Sequence, residues 1–156
     1  MKHVKVALII LTGLFAADLL HTQEPAQDEF LSRISKAYME SDLDTVIDMT
    51  CWDGVCPESR SKAIDKYKRE IALTAIKVEL LGKEAAEWHE WKQGDTVFIY
   101  NADVLHTLVV HLQPGSKMKL GLGEVPVKDL RLPVGRVKEK LYLLRSIPKQ
   151  AAKNEK

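Results

Sequence analysis

The sequence predicts an α+β fold in which helices come first and an antiparallel sheet follows. Apolar residues recur at helical spacing between residues 28 and 72, and beyond residue 75 short apolar runs are separated by turn sequences. The segment Gln93-Gly94-Asp95 is one such turn, of the kind that joins the two strands of a hairpin. Helices followed by a meander of strands are typical of N-terminal helices packed on one face of a curved antiparallel sheet.

The composition limits the classes of protein that need to be considered. A chain of 156 residues has room for one domain, and 46% hydrophobic with 29% charged residues is ordinary for a globular protein. The formal net charge of +1 provides no overall field that would attract nucleic acid. Residues 28–65 nevertheless carry nine acidic and four basic side chains, whereas residues 117–145 carry eight basic and three acidic ones. This asymmetry indicates two solvated faces that partly neutralise each other within one domain or a homodimer; a separate anion-binding face is the alternative.

The N-terminal segment has the pattern of a secretory signal peptide. Lys2 and Lys5 give it a basic start, and residues 6–17 form an apolar run that is too short to span a membrane. We expect residues 1–23 to be removed, with the cleavage site between residues 17 and 23. The protein would then be secreted or periplasmic, with no membrane partner once the signal is removed. A retained N-terminal anchor or a buried helix is the alternative interpretation.

Three helices are predicted before the strands begin. Asp28 is a candidate N-cap of the first helix, which ends near Glu40 because a new cap begins at Ser41 and Asp42. A second, shorter helix covers residues 44–49. Pro57 suits the first position of a third helix that continues to about residue 72, because its missing N–H is not needed there.

A turn at residues 51–57 joins the second and third predicted helices and contains both cysteines of the chain. Its Asp53-Gly54 pair favours a chain reversal, since glycine adopts positive φ at no steric cost. Cysteine pairs persist as disulfides in oxidising compartments, so export predicts a disulfide between Cys51 and Cys56. Two buried thiols that act as small apolar residues are the alternative.

The second half of the chain is predicted to form strands at residues 75–81, 96–100, 104–112 and 117–123, with an ambiguous, extended segment at 85–91. Residues 124–137 contain Pro126, Pro133 and Gly135 and have no clean period, which predicts a loop or an irregular edge. Apolar residues are dense in 138–147, which predicts a central or near-central strand. The domain is expected to span residues 28–148, followed by a polar tail at 149–156.

The corner at the end of the first helix carries a family resemblance. The segment Ala37-Tyr38-Met39-Glu40-Ser41-Asp42-Leu43-Asp44, followed by a short helix, a third helix and a meander, resembles the NTF2-like (cystatin-like, SnoaL-type) superfamily over residues 28–147. The chain departs from the family pattern at residues 51–57, where many members place a first strand. The resemblance implies a cone-shaped cavity lined by the concave face of the sheet, which serves enzymes and non-enzymatic ligand binders alike.

Histidines and acidic residues supply the few candidates for catalysis. His106 and His111 differ by an odd number of positions along one predicted strand, so they should point to opposite faces, which argues against a metal site. Asp103 lies three residues before His106, and either residue could act as an acid or base in a cavity that Tyr38 or Tyr100 also lines. Nucleotide-binding fingerprints and nucleophile motifs do not occur in the sequence, so no cofactor is expected.

The tryptophans are candidates for contacts with a ligand or partner. Trp88 and Trp91 have opposite parity, so one should face the core and the other the surface. We take Trp88, with Tyr38 and Tyr100, as a candidate ligand contact; packing of both tryptophans on the sheet is the alternative.

Two function classes follow from these observations. The first is an exported, non-enzymatic domain that binds a small apolar ligand or a protein partner, with a homodimer through its sheet as one such partnership. The second is a small cofactor-independent acid–base enzyme of the isomerase or dehydratase kind that uses His106 or Asp103. A closed pocket with His106 or Asp103 pointing inward would favour the enzyme, whereas a cone filled by side chains would favour the binding role.

Overall fold

The computed structural model describes residues 23–82 and 88–149 of the chain. Three helices come first: α1 (Gln23–Glu40), α2 (Leu43–Asp48) and α3 (Pro57–Ile71). Nine strands follow: β1 (Ala75–Gly82), β2 (Trp91–Gln93), β3 (Thr96–Tyr100), β4 (Val104–Leu112), β5 (Lys117–Leu120), β6 (Gly123–Pro126), β7 (Asp129–Val137), β8 (Lys140–Leu143) and β9 (Ser146–Pro148). The predicted signal peptide up to residue 22, the start of the ambiguous 85–91 segment and the tail beyond Lys149 lie outside the described residues.

The strands form a curled antiparallel sheet, and the predicted α+β class is confirmed. The largest part has four strands in the order β1-β4-β7-β8. A second part has the order β2-β3-β9, and β5 pairs with β6. Every pairing between these strands is antiparallel, as expected for a meander.

The main core lies on one face of the four-stranded part, which we call the inner face. Leu108 and Val110 of β4 and Val134 of β7 are fully buried there. The same buried cluster contains Ile34 and Tyr38 of α1, which lie four residues apart and therefore on one side of that helix. The buried cluster thus combines side chains of the sheet with side chains of α1. The opposite face, which carries Thr107 and His111, is called the outer face below.

Helix α1 begins earlier than the sequence predicts. Asp28 was predicted to be its N-cap, but the helix starts at Gln23 and Asp28 is an exposed residue inside it. Pro25 does not interrupt the helix because the first-turn N–H groups have no intrahelical acceptor in any case. The predicted cap at the next corner is confirmed: the Asp42 carboxylate accepts a hydrogen bond from the Thr45 N–H at 3.1 Å and opens α2.

The prediction of a loop at residues 124–137 is wrong, because this segment contains β6 and the inner strand β7. Pro133 sits inside β7, opposite Thr107 of β4. Its carbonyl oxygen accepts a hydrogen bond from the Leu144 N–H at 2.8 Å. In an antiparallel strand the N–H and the C=O of one residue point to the same side. The N–H that Pro133 lacks would therefore point toward Leu144, just past the end of β8, and not toward β4. The β4–β7 ladder therefore loses no hydrogen bond at this proline.

The single central strand predicted at residues 138–147 is also wrong. The segment forms two short strands, β8 at the edge of the four-stranded part and β9 at the edge of the three-stranded part. Leu141, Leu143 and Leu144 are buried, which agrees with the apolar density that suggested a strand. Backbone groups of Met49 and Cys51 bond to Leu143 at 2.8 Å, so the free side of β8 is covered by the chain that follows α2.

The predicted disulfide is contradicted by the structure, in which Cys51 and Cys56 are not bonded to each other. Cys51 is buried in a cluster with Val104 and Leu144. Cys56 is exposed at the N-cap of α3, where its sulfur lies 3.2 Å from the Ser59 hydroxyl oxygen. The two thiols thus occupy different environments, because one points into the fold and the other begins a helix.

Hydrogen bonds fix the 51–57 turn in place of the expected disulfide. The Asn101 side-chain amide donates to the carbonyl oxygens of Cys51 (2.9 Å) and Asp53 (3.1 Å). The Trp52 indole N–H donates to the Ile47 carbonyl oxygen at 3.0 Å. Gly54 has φ of +68°, so the predicted requirement for glycine in this turn is confirmed. The segment remains the point where α2, α3 and the sheet are joined.

Strands β4 to β7 form one long bent hairpin. The β4–β7 ladder continues past a turn at residues 113–116 into the β5–β6 pair, through a bond from the Val127 N–H to the Ser116 carbonyl oxygen. Met118 packs into the main core, while the end of the hairpin beyond it extends into solvent. We call residues 119–125 the hairpin tip. It lies at the end of the sheet where β7 begins.

Candidate binding pocket

A pocket with a volume of about 260 Å³ opens at the other end of the sheet, where β7 meets β8. It is enclosed by α1, by the end of α2 and by the β7–β8 hairpin. Ten residues line it: Ala26, Glu29, Phe30, Arg33, Asp48, Met49, Glu139, Lys140, Leu141 and Tyr142. Helical spacing explains the α1 contribution, because positions 26, 29, 30 and 33 share one side of the helix.

The floor of the pocket is apolar. Phe30, Met49 and Leu141 are buried and belong to the main core, so the floor is the end of that core where it reaches the surface. Ala26 and Tyr142 are half-buried beside them. An apolar base with a few polar groups around it is the usual composition of a ligand pocket.

The rim of the pocket is charged. Glu29, Asp48 and Glu139 contribute negative charges, and Arg33 and Lys140 contribute positive ones. Within residues 23–82 and 88–149, none of these five side chains forms an ion pair. Five charged groups around an apolar floor are therefore available to an incoming molecule.

His106 faces the inner side of the sheet, near the pocket but not in its lining. The Gln27 amide nitrogen lies 3.4 Å from His106 Nε2. Burial lowers the pKa of His106, the positive charge of Arg136 lowers it further, and a hydrogen bond to the Leu81 backbone opposes both.

Arg136 lies between His106 and the pocket. It pairs across the ladder with Leu141 of the pocket floor, while His106 pairs with Val134, two residues earlier in β7. The Nε atom of Arg136 is buried and has no hydrogen-bond partner among the described residues. The inner face therefore ends in a partly polar patch of Gln27, His106 and Arg136 next to the apolar floor.

Asp103 is exposed in the turn before β4 and does not line the pocket. The β4–β7 register is irregular between Val104 and His106, so Asp103 lies beyond the regular ladder. The hydrogen bonds of the His106 ring run to Gln27 and to the Leu81 backbone. The structure thus does not bring the suggested pair of Asp103 and His106 together in one site.

Tyr38 of α1 is deeply buried, close to two titratable residues of α3, Glu70 and Tyr67. Burial raises its pKa well above the usual value of tyrosine, and the charges of Glu70 and Tyr67 raise it further. Glu70 is also buried, and burial raises its pKa despite Lys66, whose Nζ lies 3.4 Å from the carboxylate. Tyr38 is therefore a core residue and lies outside the pocket lining.

Tyr100 and Trp88 form a separate aromatic pair, with ring centroids 5.7 Å apart in an edge-to-face arrangement. The Trp88 N–H donates to the Thr107 hydroxyl at 2.7 Å on the outer face. Trp91 is exposed and stacks on Phe98, with centroids 4.4 Å apart. Trp88 is thus half-buried and Trp91 exposed, and neither lines the pocket. Residue 88 lies before β2 begins, so strand parity does not set the direction of its side chain.

His111 lies on the outer face, opposite to His106, as the odd spacing predicts. Its two ring nitrogens are each 2.7 Å from a carboxylate, Nε2 from Glu79 and Nδ1 from Asp129. The hydrogen bond to Glu79, followed by that to Asp129, raises the pKa of His111. No group of three or more histidine, cysteine, aspartate or glutamate residues in the described part of the chain could hold a metal ion.

The sequence did not predict the pocket because its lining comes from three distant segments, around residues 26–33, 48–49 and 139–142. The only local signal was the helical spacing of apolar residues in the first helix, which begins with Phe30; Ala26 lies before the predicted start of that helix. The β7–β8 contribution could not be found, since β7 itself was mistaken for a loop.

No protein-family model matches the chain, and a search of curated proteins found no match either. Among the described helices, none is both long enough and apolar enough to cross a membrane. The pocket and the inner-face residues beside it are therefore the observations from which a function has to be argued.

Proposed function

We propose that this chain is an exported, non-enzymatic binding domain whose pocket accepts an apolar side chain of a protein partner. One observation carries the proposal: the pocket combines an apolar floor with five charged rim groups that form no ion pair on the described chain. A buried apolar anchor surrounded by polar contacts is the usual arrangement of a protein-binding hot spot.

The proposed architecture is that of an NTF2-like cone whose interior is filled. Side chains of α1 and α3 share one buried cluster with the inner face of the sheet, which supports helices packed on that face. Tyr38 and Leu108 are buried in that cluster, in the interior where the resemblance implies a cavity. A filled cone favours binding at the mouth of the fold over catalysis inside it.

The size of the pocket suits part of a peptide or a small molecule better than a larger ligand. A volume of about 260 Å³ is below the roughly 300–1,000 Å³ that pockets for drug-sized molecules usually have. The rim adds both signs of charge, which suits the flanking residues of a peptide better than a purely apolar molecule. A small apolar ligand in the same pocket is the alternative occupant.

Export is supported by the sequence. The basic start and the short apolar run at residues 6–17 are the features of a signal peptide, which supports a secreted or periplasmic setting for the binding domain. N-terminal sequencing of the protein from its native host tests this, and an intact Met1 in a cytosolic fraction would contradict it.

Titration with model peptides, followed by two-dimensional ¹H–¹⁵N NMR, tests the binding role. The probes are two blocked tripeptides that differ only in the central residue, Lys-Leu-Lys and Lys-Ser-Lys. We expect the leucine peptide to shift the amide signals of residues 26–33 and 139–142, and the serine peptide to shift them much less. Ala26→Trp should abolish the shifts because the indole fills the pocket. Equal shifts with both peptides, or shifts confined to other regions, would contradict the proposal.

A second candidate function is acid–base catalysis by His106. The observation in its favour is the position of His106, half-buried on the inner face, with a pKa that burial and the positive charge of Arg136 lower. A lowered pKa keeps the imidazole neutral and able to accept a proton near pH 7, although it also makes the ring a weaker base. His106→Gln tests this candidate: an isomerase or dehydratase activity of the purified protein should be lost, whereas peptide binding to the pocket should remain.

A further inference from the structure

Both ring nitrogens of His111 contact carboxylates on neighbouring strands. Nε2 lies 2.7 Å from Glu79 of β1, and Nδ1 lies 2.7 Å from Asp129 of β7. A carboxylate that has lost its proton can only accept hydrogen bonds, so both ring nitrogens have to donate and the ring is a positively charged imidazolium. This single side chain of β4 therefore ties together the two strands that flank β4 in the sheet.

A neutral imidazole cannot keep both contacts, because only one of its nitrogens carries a proton. When His111 loses its charge, one of the two carboxylates faces a nitrogen lone pair and is repelled. The other charged groups on this part of the outer face, among the described strands, are Lys77 beside Glu79 and Arg131 of β7. Lysine and arginine do not change charge in the pH range in which histidine does, so the His111 ring is the group that switches these contacts.

The contacts lie at the base of a hairpin extension, by which we mean residues 113–128. His111 is the last residue but one of β4, and Asp129 is the first residue of β7. The chain between them leaves the four-stranded part and forms the β5–β6 pair. The base is also crossed by a backbone bond, in which the Leu112 N–H donates to the Lys128 carbonyl oxygen at 2.9 Å. The charge of His111 therefore acts where the hairpin extension joins the sheet.

The hairpin extension has little buried apolar surface. Of residues 113–128, all of which the structure describes, only Met118 is buried. Val127 packs against the main core beside it while remaining partly exposed, whereas Leu120 and Leu122 are exposed to solvent. Segments with few buried apolar contacts open at a lower free-energy cost than the rest of a domain. The hairpin extension is therefore the part that opens most readily when the contacts at its base weaken.

We propose that His111 is a pH-dependent latch: its charged ring holds the hairpin extension on the core, and loss of the ring proton allows the extension to separate from the core. The latch is closed at acidic pH and opens as the pH rises. Opening exposes Met118 in addition to Leu120 and Leu122, so the apolar surface at this end of the molecule grows. The inference does not depend on the proposed binding role of the pocket, which lies at the other end of the sheet.

Thermodynamic linkage relates the opening of the latch to the titration of the ring. In the open state His111 has lost both partners and titrates near its ordinary value of about 6.5. In the closed state the hydrogen bond to Glu79, followed by that to Asp129, raises the pKa of His111. The closed state is therefore stabilised fully below about pH 6.5, and this stabilisation is lost as the pH rises through the closed-state pKa. The opening constant should rise about tenfold for each unit that separates the two pKa values.

Hydrogen exchange of the full chain, as the expressing cell processes it, measures the opening constant, and NMR titration of the His111 ring measures its pKa. Exchange rates are corrected for the intrinsic effect of pH on amide exchange. Between about pH 5.5 and about pH 8.5 we expect the protection of residues 117–126 to fall by the factor that the measured pKa predicts. The protection of residues 140–143 in β8, at the other end of the sheet, should not fall with it.

Three variants connect the loss of protection to the ring. His111→Gln cannot gain a proton and should abolish the pH dependence in the hairpin extension. Glu79→Gln keeps the ring but removes one carboxylate charge, so it should lower the measured pKa of His111 and reduce the pH dependence by the matching factor. His106→Gln is the control, because His106 lies on the inner face and contacts Gln27, and it should leave the pH dependence unchanged. If His111→Gln fails to fold, Glu79→Gln provides the test.

The outcomes that would overturn the latch are distinct. Protection of residues 117–126 that does not change with pH contradicts it, and so does a pH-dependent loss that persists in His111→Gln. An equal loss of protection throughout the sheet also contradicts it, because the ring would then stabilise the whole fold and not the hairpin extension in particular.

Discussion

Gly135 of β7 packs directly against the backbone carbonyl of Asp103. A Cβ atom at Gly135 would overlap that carbonyl oxygen and would lie 2.7 Å from Leu144 Cδ1. The contact involves backbone, which cannot move aside as a flexible side chain would. It joins the start of β4 to the end of β7, next to His106 and the pocket.

Gly135→Ala should therefore destabilise the fold by about 1–3 kcal/mol, the usual cost of inserting an extra carbon into a packed site. Urea denaturation followed by tryptophan fluorescence measures the change. Gly123→Ala is the control, because a Cβ there meets no atom within 4 Å and the residue has no positive φ. Equal stability of the two variants would show that β4 and β7 separate easily at this point.

The contacts of the His111 ring with Glu79 and Asp129, which we call the His111 clamp, predict a specific pH dependence of stability. Because Glu79 and Asp129 raise the pKa of His111 in the folded state, the clamp stabilises fully below the unfolded pKa of about 6.5 and loses its effect as pH rises through the folded pKa. His111→Gln should thus lower the urea midpoint more at about pH 5.5 than at about pH 8.5. A destabilisation that is independent of pH would mean that His111 contributes by packing alone.

Buried Glu70 predicts a substitution that stabilises the protein, in contrast to His111→Gln. Burial raises its pKa, so the folded state disfavours the charged carboxylate, and stability falls as pH rises above the unfolded carboxyl value. Glu70→Gln removes the charge and should raise the melting temperature. The increase should be larger at pH 7 than at pH 4, where the unmodified side chain is already partly protonated. If Glu70→Gln lowers stability at both pH values, the pairing with Lys66 outweighs the burial of charge.

The two cysteines should react differently with iodoacetamide. The Ser59 hydroxyl and backbone lower the pKa of the exposed Cys56 thiol, so native protein should take up one label, and at a lower pH than an ordinary cysteine does. Ser59→Ala should shift this reaction to higher pH. Unreduced protein in denaturant should take up two labels, since Cys51 becomes accessible on unfolding. The absence of any label after denaturation without reduction would show that the two thiols are joined in a disulfide and would contradict this prediction.

Truncation tests the importance of the last two strands. A chain that ends after Arg136 loses the buried Leu141, Leu143 and Leu144, and it should not unfold cooperatively. A chain that ends after Lys149 keeps the last described contact, the bond from its N–H to the Val97 carbonyl oxygen, and should melt within a few degrees of the full chain. Thermal melts by circular dichroism compare the two.

Local patterns were sufficient for the elements whose residues carry their own signals. The stripe of α3 after Pro57, the cap at Asp42 and the turn at Gly54 were all predicted because each depends on neighbours in sequence. Strand β7 was missed because Pro133 and Gly135 are strand-breaking residues by local rules. Both are tolerated because of residues that are distant in sequence. The N–H that Pro133 lacks would point past the end of β8, and the missing side chain of Gly135 leaves room for the Asp103 carbonyl.

The site was harder to predict than the fold. The spacing of Cys51 and Cys56 allowed a disulfide, but Val104 and Leu144, distant in sequence, form the cluster in which Cys51 is buried. Likewise, strand parity predicted that His106 and His111 point to opposite faces, but it could not tell which of them points inward. The contact of His106 with Gln27 depends on where α1 crosses the sheet. Chemical candidates can be read from residue types, but their grouping is set by tertiary packing.

The bonds between Leu143 and the chain after α2 have a consequence for aggregation. An edge strand with unpaired backbone groups can add a strand from another molecule, which is a common route to fibrils. Met49 and Cys51 occupy the outward backbone groups of Leu143, at the end of β8. β1 is the other edge of the four-stranded part, where a register irregularity between Ala75 and Lys77 and the charge of Lys77 oppose strand addition. Mutations that detach the 49–51 segment should therefore make the protein prone to form fibrils before they unfold it.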